Sequence, residues 1–136
     1  GALKYFLEKN RCINEFFVAN GDTLFSNISS LDIKKGIKAK TEDLPVIFLA
    51  NPDPTRDDYL SVSNISKNEC VNKQNSGLFY VSRTWLERFV FTSNDLKDID
   101  HYLFSLKPSA ISVSVSTFLY DAGTPERLRQ IREKIK

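Results

Sequence analysis

A short apolar run that leads straight into a turn decides the fold: Phe16-Phe17-Val18-Ala19-Asn20-Gly21-Asp22. A continuous apolar run bounded by polar residues is typical of a strand buried on both faces of a parallel sheet. A second run of this kind, Val46 to Ala50, ends in the turn-rich segment Asn51-Pro52-Asp53-Pro54-Thr55. Because apolar residues at helical spacing lie between the two runs, the alternation of helix and strand predicts an α/β fold.

Periodicity predicts the remaining elements. Apolar residues three or four positions apart mark five helical segments: Leu3 to Asn10, Ile28 to Ile37, Trp85 to Phe89, Leu96 to Leu106 and Leu128 to Ile135. The last of them is predicted to start at Thr124-Pro125-Glu126, with a capping hydroxyl and Pro at the first helical position. Further strands are predicted at Tyr59 to Val62, Leu78 to Val81 and Ile111 to Asp121, with an exposed loop or weak hairpin at Ser63 to Ser76. Together they predict a single domain over residues 1–136, a Rossmann-like layer structure with a mainly parallel mixed sheet.

Composition excludes several classes of protein. The chain has 136 residues, with 19 basic and 17 acidic side chains and a formal net charge of +2. This balance argues against a nucleic-acid partner, because neutralising phosphates requires a one-signed cluster of Lys and Arg. The longest apolar stretch, Leu44 to Ala50, is far shorter than the roughly 20 residues of a transmembrane helix, so no membrane partner is expected. The isolated cysteines Cys12 and Cys70 favour reduced thiols in a cytoplasmic protein.

Two segments share one design, an apolar strand that ends in a glycine-containing turn with an aspartate beside it. They are Phe17 to Asp22 and Leu119 to Thr124. In open α/β sheets, ligands bind at the carboxyl ends of strands. Asp22 and Asp121 could share a Mg²⁺ ion there, because this cation prefers oxygen ligands and keeps water and substrate phosphate in its shell. The alternative is structural, since Asn-Gly is a common turn and Asp before a helix is an ordinary cap.

Four motifs follow one another along the chain: Gly1-Ala2-Leu3, Phe17-Val18-Ala19-Asn20-Gly21-Asp22-Thr23-Leu24-Phe25, Asn75-Ser76-Gly77-Leu78-Phe79-Tyr80-Val81 and Tyr120-Asp121-Ala122-Gly123-Thr124-Pro125-Glu126. In this order they resemble the sugar-1-phosphate nucleotidyltransferase family. The resemblance implies the later part of that family's catalytic domain, incomplete at the N-terminal side. The family's opening strand, GGxGTRL loop and proline-lysine segment have no counterpart here, so a missing N-terminal segment is an implied partner.

The resemblance also implies site residues. Asp22 and Asp121 would be the catalytic pair, holding Mg²⁺ between nucleotide and sugar phosphate. The turn from Asn75 to Gly77 would contact the sugar, with Gly21 also binding substrate, and the glycine-rich loop that ends at Gly1 would contact the nucleobase.

One further residue departs from the family pattern. The family usually has a Glu-Lys pair upstream of the sugar-binding turn, and this chain has Ser66-Lys67 there. Lys67 is the predicted sugar contact, and Lys73 remains an alternative.

Other chemistries fit less well. Asp98-Ile99-Asp100 has the letters of a glycosyltransferase DxD motif, but Ile99 belongs to the apolar stripe of a predicted helix, which predicts exposed acids. His101 is beside them and is expected at the surface. The chain has no GxSxG elbow, so hydrolase chemistry is disfavoured.

The resemblance therefore implies transfer of a nucleotidyl group from a nucleoside triphosphate to a sugar 1-phosphate, with release of pyrophosphate, in activated-sugar synthesis for surface polysaccharides. The short spacing from Asn75 to Asp121 is most like heptose- or mannose-1-phosphate guanylyltransferases. The isolated chain is expected to be inactive, because nothing in it would cradle a triphosphate. The alternative is a non-catalytic sugar-phosphate binding or oligomerisation piece of the same fold, and a homo-oligomer stays open.

Overall fold

The computed structural model describes residues 2–25, 27–41, 44–52, 73–92 and 110–134, and every structural statement below concerns these ranges. In chain order the elements are α1 Ala2–Lys9, β1 Glu15–Ala19, β2 Thr23–Phe25, α2 Ser30–Ala39, β3 Val46–Asn51, β4 Gln74–Ser82, α3 Arg83–Thr92, β5 Ile111–Asp121 and α4 Pro125–Lys134. Four predicted helices are thereby confirmed. The helix predicted at Leu96 to Leu106 and the strand at Tyr59 to Val62 lie outside the described residues.

The strands form one mixed sheet in the order β1-β4-β3-β5-β2. The predicted α/β class and mixed sheet are confirmed, but the expectation of a mainly parallel sheet is wrong for the described strands. Only β3 and β5 are parallel; β1–β4, β3–β4 and β2–β5 are antiparallel. The reason is that a central strand buried on both faces is a continuous apolar run whichever way it runs, so burial does not encode direction.

Helices α1 and α3 cover one face of the sheet. They pack on a buried cluster made of Leu7, Phe16, Ile47, Leu49, Phe79, Val81, Trp85, Leu86 and Phe89. The prediction that Trp85 belongs to the core is confirmed, because only 6% of it is exposed and its ring stacks on Phe89 with centroids 5.9 Å apart. Successive side chains of a strand point to opposite faces of the sheet, so neighbouring apolar residues of one strand belong to the cores on opposite faces.

Helix α2 covers the other face. The cluster there consists of Val46, Phe48, Ala50, Leu78, Tyr80 and Val115, with Ile33 and Ala39 of the helix packed against it. Ser29 is the N-cap of α2 and accepts a hydrogen bond from the amide of Asp32, which is an ordinary capping contact. Gly36 faces the ring of Phe48, where a β-carbon would lie 2.7 Å from Cε1. The helix therefore approaches the sheet more closely than an alanine would allow.

Strand β1 is an edge strand rather than one buried on both faces, which corrects the sequence-based expectation. Phe16 is buried, whereas Phe17 is 44% exposed. The ring of Phe17 still stacks on Tyr80 with centroids 4.6 Å apart. The run from Phe16 to Ala19 has apolar side chains on both faces of the sheet, although no described strand pairs with the outer edge of β1.

Strand β5 changes neighbours along its length. Its first part pairs with β3, from Val46 opposite Ile111 to Asn51 opposite Phe118, with a register shift between Leu49 and Asn51. The last three residues of β5 pair with β2 instead. A shift of this kind bends a strand, so the end of β5 leaves the main sheet and meets the segment that follows β1.

None of the described helices is long and apolar enough to cross a membrane.

Candidate functional site

The antiparallel pairing of β2 with β5 brings together the two segments that the sequence singled out. Thr23 lies opposite Asp121 in this ladder, and the amide of Ala122 donates a hydrogen bond of 2.7 Å to the carbonyl oxygen of Asp22. Directly opposite residues in such a ladder have α-carbons about 4.5–5.5 Å apart. Asp22 and Asp121 therefore occupy neighbouring backbone positions although 98 residues (121 − 22 − 1) separate them in sequence. Their catalytic and metal-binding roles stay a prediction.

The predicted sugar-binding turn lies at the same edge of the sheet. The amide of Asn20, two residues before Asp22, donates to the carbonyl of Gly77 at 2.9 Å. Gly77 has a φ of +68°, a conformation that side-chain-bearing residues rarely adopt, and the Oδ1 atom of Asn75 accepts a hydrogen bond from its amide at 3.0 Å. Nothing lies within 4 Å of where a β-carbon of Gly21 would be, so that position faces open space.

These contacts place two predicted substrate-binding segments, residues 20–22 and 75–77, side by side. The sequence assigned Asn75 and Ser76 to a loop, whereas the structure includes them in β4. The glycine conformation explains the difference, because it kinks the strand locally without ending its pairing. Their contact with a sugar remains a prediction.

A lysine and an asparagine form a polar cluster beside this edge. The ammonium group of Lys73 donates to the Oδ1 atom of Asn51 at 2.5 Å and to the carbonyl of Val115 at 3.1 Å. The amide group of Asn51 donates in turn to the carbonyl of Ser116 at 3.2 Å. The cluster therefore joins the end of β3, the start of β4 and the irregular part of β5.

The oxygen donor that Asp22 supplies fits a hard cation better than a soft one. Among residues 2–134 as far as they are described, no three His, Cys, Asp or Glu side chains gather as a metal site. Asp22 is exposed, with no ion pair among the described residues, and Asp121 lies opposite its chain neighbour Thr23. Carboxylate oxygens are the donors that Mg²⁺ prefers, whereas a structural zinc site needs four protein ligands. Mg²⁺ binding by Asp22 and Asp121 stays a prediction.

A cluster of ionisable side chains with shifted pKa values lies at the opposite end of β1. The hydroxyl of Tyr80 donates to Glu15, and the ammonium group of Lys40 lies 2.7 Å from the same carboxylate. The hydrogen bonds from Lys40 and Tyr80 lower the pKa of Glu15, while burial and the neighbouring carboxylate raise the pKa of Tyr80 to about 12. These groups join β1, β4 and the end of α2, and their place in the fold indicates a structural role.

Arg83 is also structural in the described part of the chain. Its Nε atom donates to the carbonyl of Ile13 at 3.0 Å, one Nη2 contact reaches the carbonyl of Leu7 at 3.2 Å, and Asn10 accepts a further bond. The same guanidinium lies 2.8 Å from Glu87. It therefore holds the carboxyl end of α1, where helix carbonyls lack partners within the helix.

Several predicted positions lie outside the described residues: Gly1, Lys67, Asp98, Asp100 and His101. Sequence reasoning did not single out Asn51, whose side chain bonds Lys73 and the carbonyl of Ser116 beside this edge. Its signal was present in the sequence, because it directly follows a buried strand, but the turn-rich composition after it concealed the role of its side chain.

Comparisons with known proteins bear on the fold. No protein-family model and no curated protein matches the chain. Among solved structures, the chain is similar to a protein from Bacillus anthracis assigned as a glucose-1-phosphate thymidylyltransferase and crystallised with sucrose. The TM-score is 0.65 at 16% sequence identity, and the match covers 95% of this chain but 57% of that protein. At this identity the likeness shows the fold alone, an α/β fold like that of the matched protein, and this chain spans a little over half of that protein's length.

Proposed function

We propose that this chain is the later part of the catalytic domain of a Mg²⁺-dependent sugar-1-phosphate nucleotidyltransferase. The observation that supports this most directly is the pairing of β2 with β5, which sets Asp22 and Asp121 at adjacent positions of one sheet edge. That edge also contains the Asn75 to Gly77 segment. A fold similar to that of a thymidylyltransferase adds weight, because the same edge would then be the cleft of the enzyme.

In this proposal the two aspartates hold the metal. Asp22 and Asp121 would be its protein ligands, and the ion would supply charge neutralisation for the phosphates of the nucleotide and the sugar. Gly21 would let a substrate approach the backbone closely, because the space over it is open. Asn75 and Gly77 would contact the sugar, Lys67 its phosphate side, and Gly1 the nucleobase.

The proposed reaction is attack of a sugar 1-phosphate oxygen on the α-phosphate of a nucleoside triphosphate, with pyrophosphate leaving. A guanylyltransferase acting on heptose or mannose 1-phosphate, in the synthesis of surface polysaccharides, is the proposed subtype. The described residues include no glycine-rich loop that would cradle three phosphates. We therefore propose that activity requires a further segment on the N-terminal side of the domain.

The free edge of β1 is where such a segment would pair. The amide of Arg83 donates to the carbonyl of Asn14, and the amide of Asn20 donates to the carbonyl of Gly77, at the two ends of the β1–β4 ladder. Hydrogen-bonded and non-hydrogen-bonded residue pairs alternate between these ends. It follows that Glu15, Phe17 and Ala19 direct their peptide groups away from β4, where no described strand pairs with them. This edge has no Pro, Lys or bulge, and its apolar residues Phe17 and Ala19 suit it to accept another strand.

The proposal is tested by the metal alone. Backbone amide spectra of the isotope-labelled chain are recorded with increasing Mn²⁺, a paramagnetic substitute for Mg²⁺. We expect signals of Thr23 and Ala122 to broaden first, and Mg²⁺ in excess to restore them. Asp22→Asn should weaken this binding by about tenfold, whereas Glu126→Gln, which removes an exposed carboxylate elsewhere, should leave it unchanged. Equal broadening in the wild type and Asp22→Asn would exclude the proposed metal site.

The alternative is a piece of the same fold that binds sugar phosphates or another copy of itself without catalysis. The sequence identity of 16% to the thymidylyltransferase structure is compatible with this alternative. Binding of GDP-mannose distinguishes the two. A catalytic domain should bind this product only with Mg²⁺ and lose the dependence in Asp22→Ala, whereas a non-catalytic piece should bind it equally with chelator. In either case the isolated chain should release no pyrophosphate, and detectable release would contradict the need for a further segment.

A further inference from the structure

The side of α2 that turns away from the sheet combines positive charge with exposed aliphatic groups. Asp32 and Gly36 are the buried residues of this helix. We call its large exposed side chains the outer face of α2, which consists of Leu31, Lys34, Lys35, Ile37 and Lys38. Leu31 is 61% exposed and Ile37 is 44% exposed. Two aliphatic side chains therefore share this face with three lysines.

Two of these lysines have no partner of opposite charge among the described residues. Lys34 and Lys38 form no ion pair there, whereas Lys35 lies 3.4 Å from Asp32. The same Asp32 carboxylate also accepts a hydrogen bond from the hydroxyl of Ser29 at 2.8 Å. Lys34 and Lys38 are four residues apart and so are neighbours on the helix, where like charges at this spacing are destabilising. No contact of the described residues offsets that repulsion.

Helices α1 and α4 have a different charge pattern on their exposed sides. In α4, Arg129 lies 2.5 Å from Glu126. In α1, the exposed residues Lys4 and Lys9 are accompanied by the exposed Glu8. Charges of both signs are typical of a helix face that only contacts water. The outer face of α2 departs from this pattern because its charges have one sign.

A solvated surface is the competing explanation. Lysine is a good helix former, and in the last turn, where Lys38 lies, it also complements the helix dipole. The dipole does not account for Lys34 in the middle of the helix, and neither reason accounts for the exposed Leu31. The next acids in the sequence, Glu42 and Asp43, follow the helix and lie outside the described residues. The combination of charge and aliphatic exposure therefore favours a partner that is both anionic and apolar.

A lipid surface has both properties. Its anionic headgroups attract lysines, and aliphatic side chains can enter the boundary between headgroups and acyl chains. A protein partner fits less well, because protein interfaces are depleted in Lys and enriched in aromatic residues, Met and Arg, none of which the outer face of α2 contains. A nucleic acid would bind the lysines through its phosphates but would leave the aliphatic groups in water.

We propose that the outer face of α2 docks on the surface of a bilayer that contains anionic phospholipids. The lysines bind the phosphate groups of the lipids, and Leu31 and Ile37 insert shallowly between the headgroups. The expectation of no membrane partner concerned spanning segments, and a surface contact of this kind requires none. Three lysines and two aliphatic groups give a weak and reversible attachment. The attachment is independent of the proposed catalytic function.

Vesicle binding tests the proposal. The full chain is sedimented with sucrose-loaded vesicles of phosphatidylcholine alone, or of phosphatidylcholine and phosphatidylglycerol in equal parts, in about 0.1 M salt, where charges are screened over about 10 Å. We expect binding to the vesicles with phosphatidylglycerol only, and weaker binding as salt is added. In bicelles of the same lipids with a spin-labelled lipid, the amide signals of residues 31–38 should broaden before those of α1.

Paired variants separate the outer face of α2 from the overall charge of the protein. Combining Lys34→Gln with Lys38→Gln should weaken vesicle binding by about 25-fold, since each lysine near an anionic surface contributes about fivefold. The matched control combines Lys4→Gln with Lys9→Gln, which removes the same charge from α1 on the opposite face of the sheet. It should change binding by less than about twofold, because that charge is screened from the bilayer. Leu31→Gln retains every charge and should weaken binding severalfold.

Three results would overturn the proposal. They are equal binding, or none, to the two kinds of vesicle; equal losses in the two double-lysine variants; and binding of a soluble polyglutamate peptide as tightly as vesicles with no effect of Leu31→Gln. The last result would indicate an acidic protein as the partner. Circular dichroism checks that each variant is folded. Should Leu31→Gln fail to fold, the two double-lysine variants decide the question.

Discussion

Replacing Gly77 by alanine should disturb the junction between the two substrate-binding segments. At a φ of +68° an alanine is strained by about 1–2 kcal/mol relative to glycine. Its β-carbon would also lie 2.8 Å from Cγ and 3.1 Å from Cβ of Asn20, closer than non-bonded carbons approach. The amide of Asn20 donates a 2.9 Å hydrogen bond to the carbonyl of Gly77, so displacing Asn20 would weaken this bond and cost about another 1 kcal/mol of stability. We expect a total loss of about 2–3 kcal/mol in the free energy of unfolding.

The assay is denaturation with urea, followed by the fluorescence of the buried Trp85 and by circular dichroism. Gly21→Ala is the matched control, since it is the same substitution close by, with open space around the new methyl group and no positive φ. It should be neutral or stabilise by up to about 1 kcal/mol, because alanine restricts the unfolded chain.

A second variant divides the effect into its two causes. Combining Gly77→Ala with Asn20→Gly removes the steric contact but not the strain, so about 1–2 kcal/mol of the loss should remain. If Gly77→Ala and Gly21→Ala were equally stable, neither the close approach of Asn20 nor the left-handed conformation would exist in solution, and the predicted adjacency of residues 20–22 and 75–77 would be wrong.

Three further predictions concern the scaffold. Gly36→Ala should cost about 1–3 kcal/mol in urea denaturation, despite better helix propensity, because its methyl group meets the buried ring of Phe48; Phe48→Leu in the same chain should recover part of the loss, and no loss would contradict the close approach. Arg83→Lys should increase amide hydrogen exchange in α1 by about tenfold or more, because the three carbonyls are bonded from separate nitrogens of the planar guanidinium fork, which a single ammonium nitrogen cannot span; unchanged protection of α1 would refute this anchoring role. Since the pKa of Tyr80 is raised to about 12, its contribution to stability is complete below pH 10 and is lost between pH 10 and 12, whereas that of Glu15, whose pKa is lowered, is present above about pH 4.5 and is lost as the pH falls further. Tyr80→Phe should remove the alkaline loss, as measured by thermal unfolding across pH, and an identical pH profile in the variant would show that the pair does not form.

Local periodicity was sufficient for the elements it predicted in the described ranges. The stripe of Leu3, Phe6 and Leu7 predicts α1, and the Thr-Pro-Glu segment at 124–126 predicts the start of α4, where Thr124 accepts a hydrogen bond from the amide of Arg127. These features depend on neighbours within one or two turns of the chain, which the sequence displays directly.

The order and direction of the strands could not be predicted in the same way. An apolar run such as Phe16 to Ala19 has the same composition at the edge of a sheet as at its centre, and β4 looks alike whether parallel or antiparallel. Phe17 is 44% exposed at the end of the described strand order, which the apolar run itself does not indicate. Strand position depends on pairing between distant segments, and the hydrophobic pattern of each strand alone is compatible with several arrangements.

By itself, the sequence determined the types of element and the two aspartates at strand ends, because turn residues and hydrophobic periods act locally. Only the tertiary structure decided that β5 shifts register beside Asn51 and then leaves β3 to pair with β2, so that Asp121 arrives next to Asp22. Only the tertiary structure also brought Lys73 onto Asn51, across 21 intervening residues (73 − 51 − 1). Both are contacts between side chains or backbone groups that come close only when the sheet assembles, and no local preference of the chain specifies them.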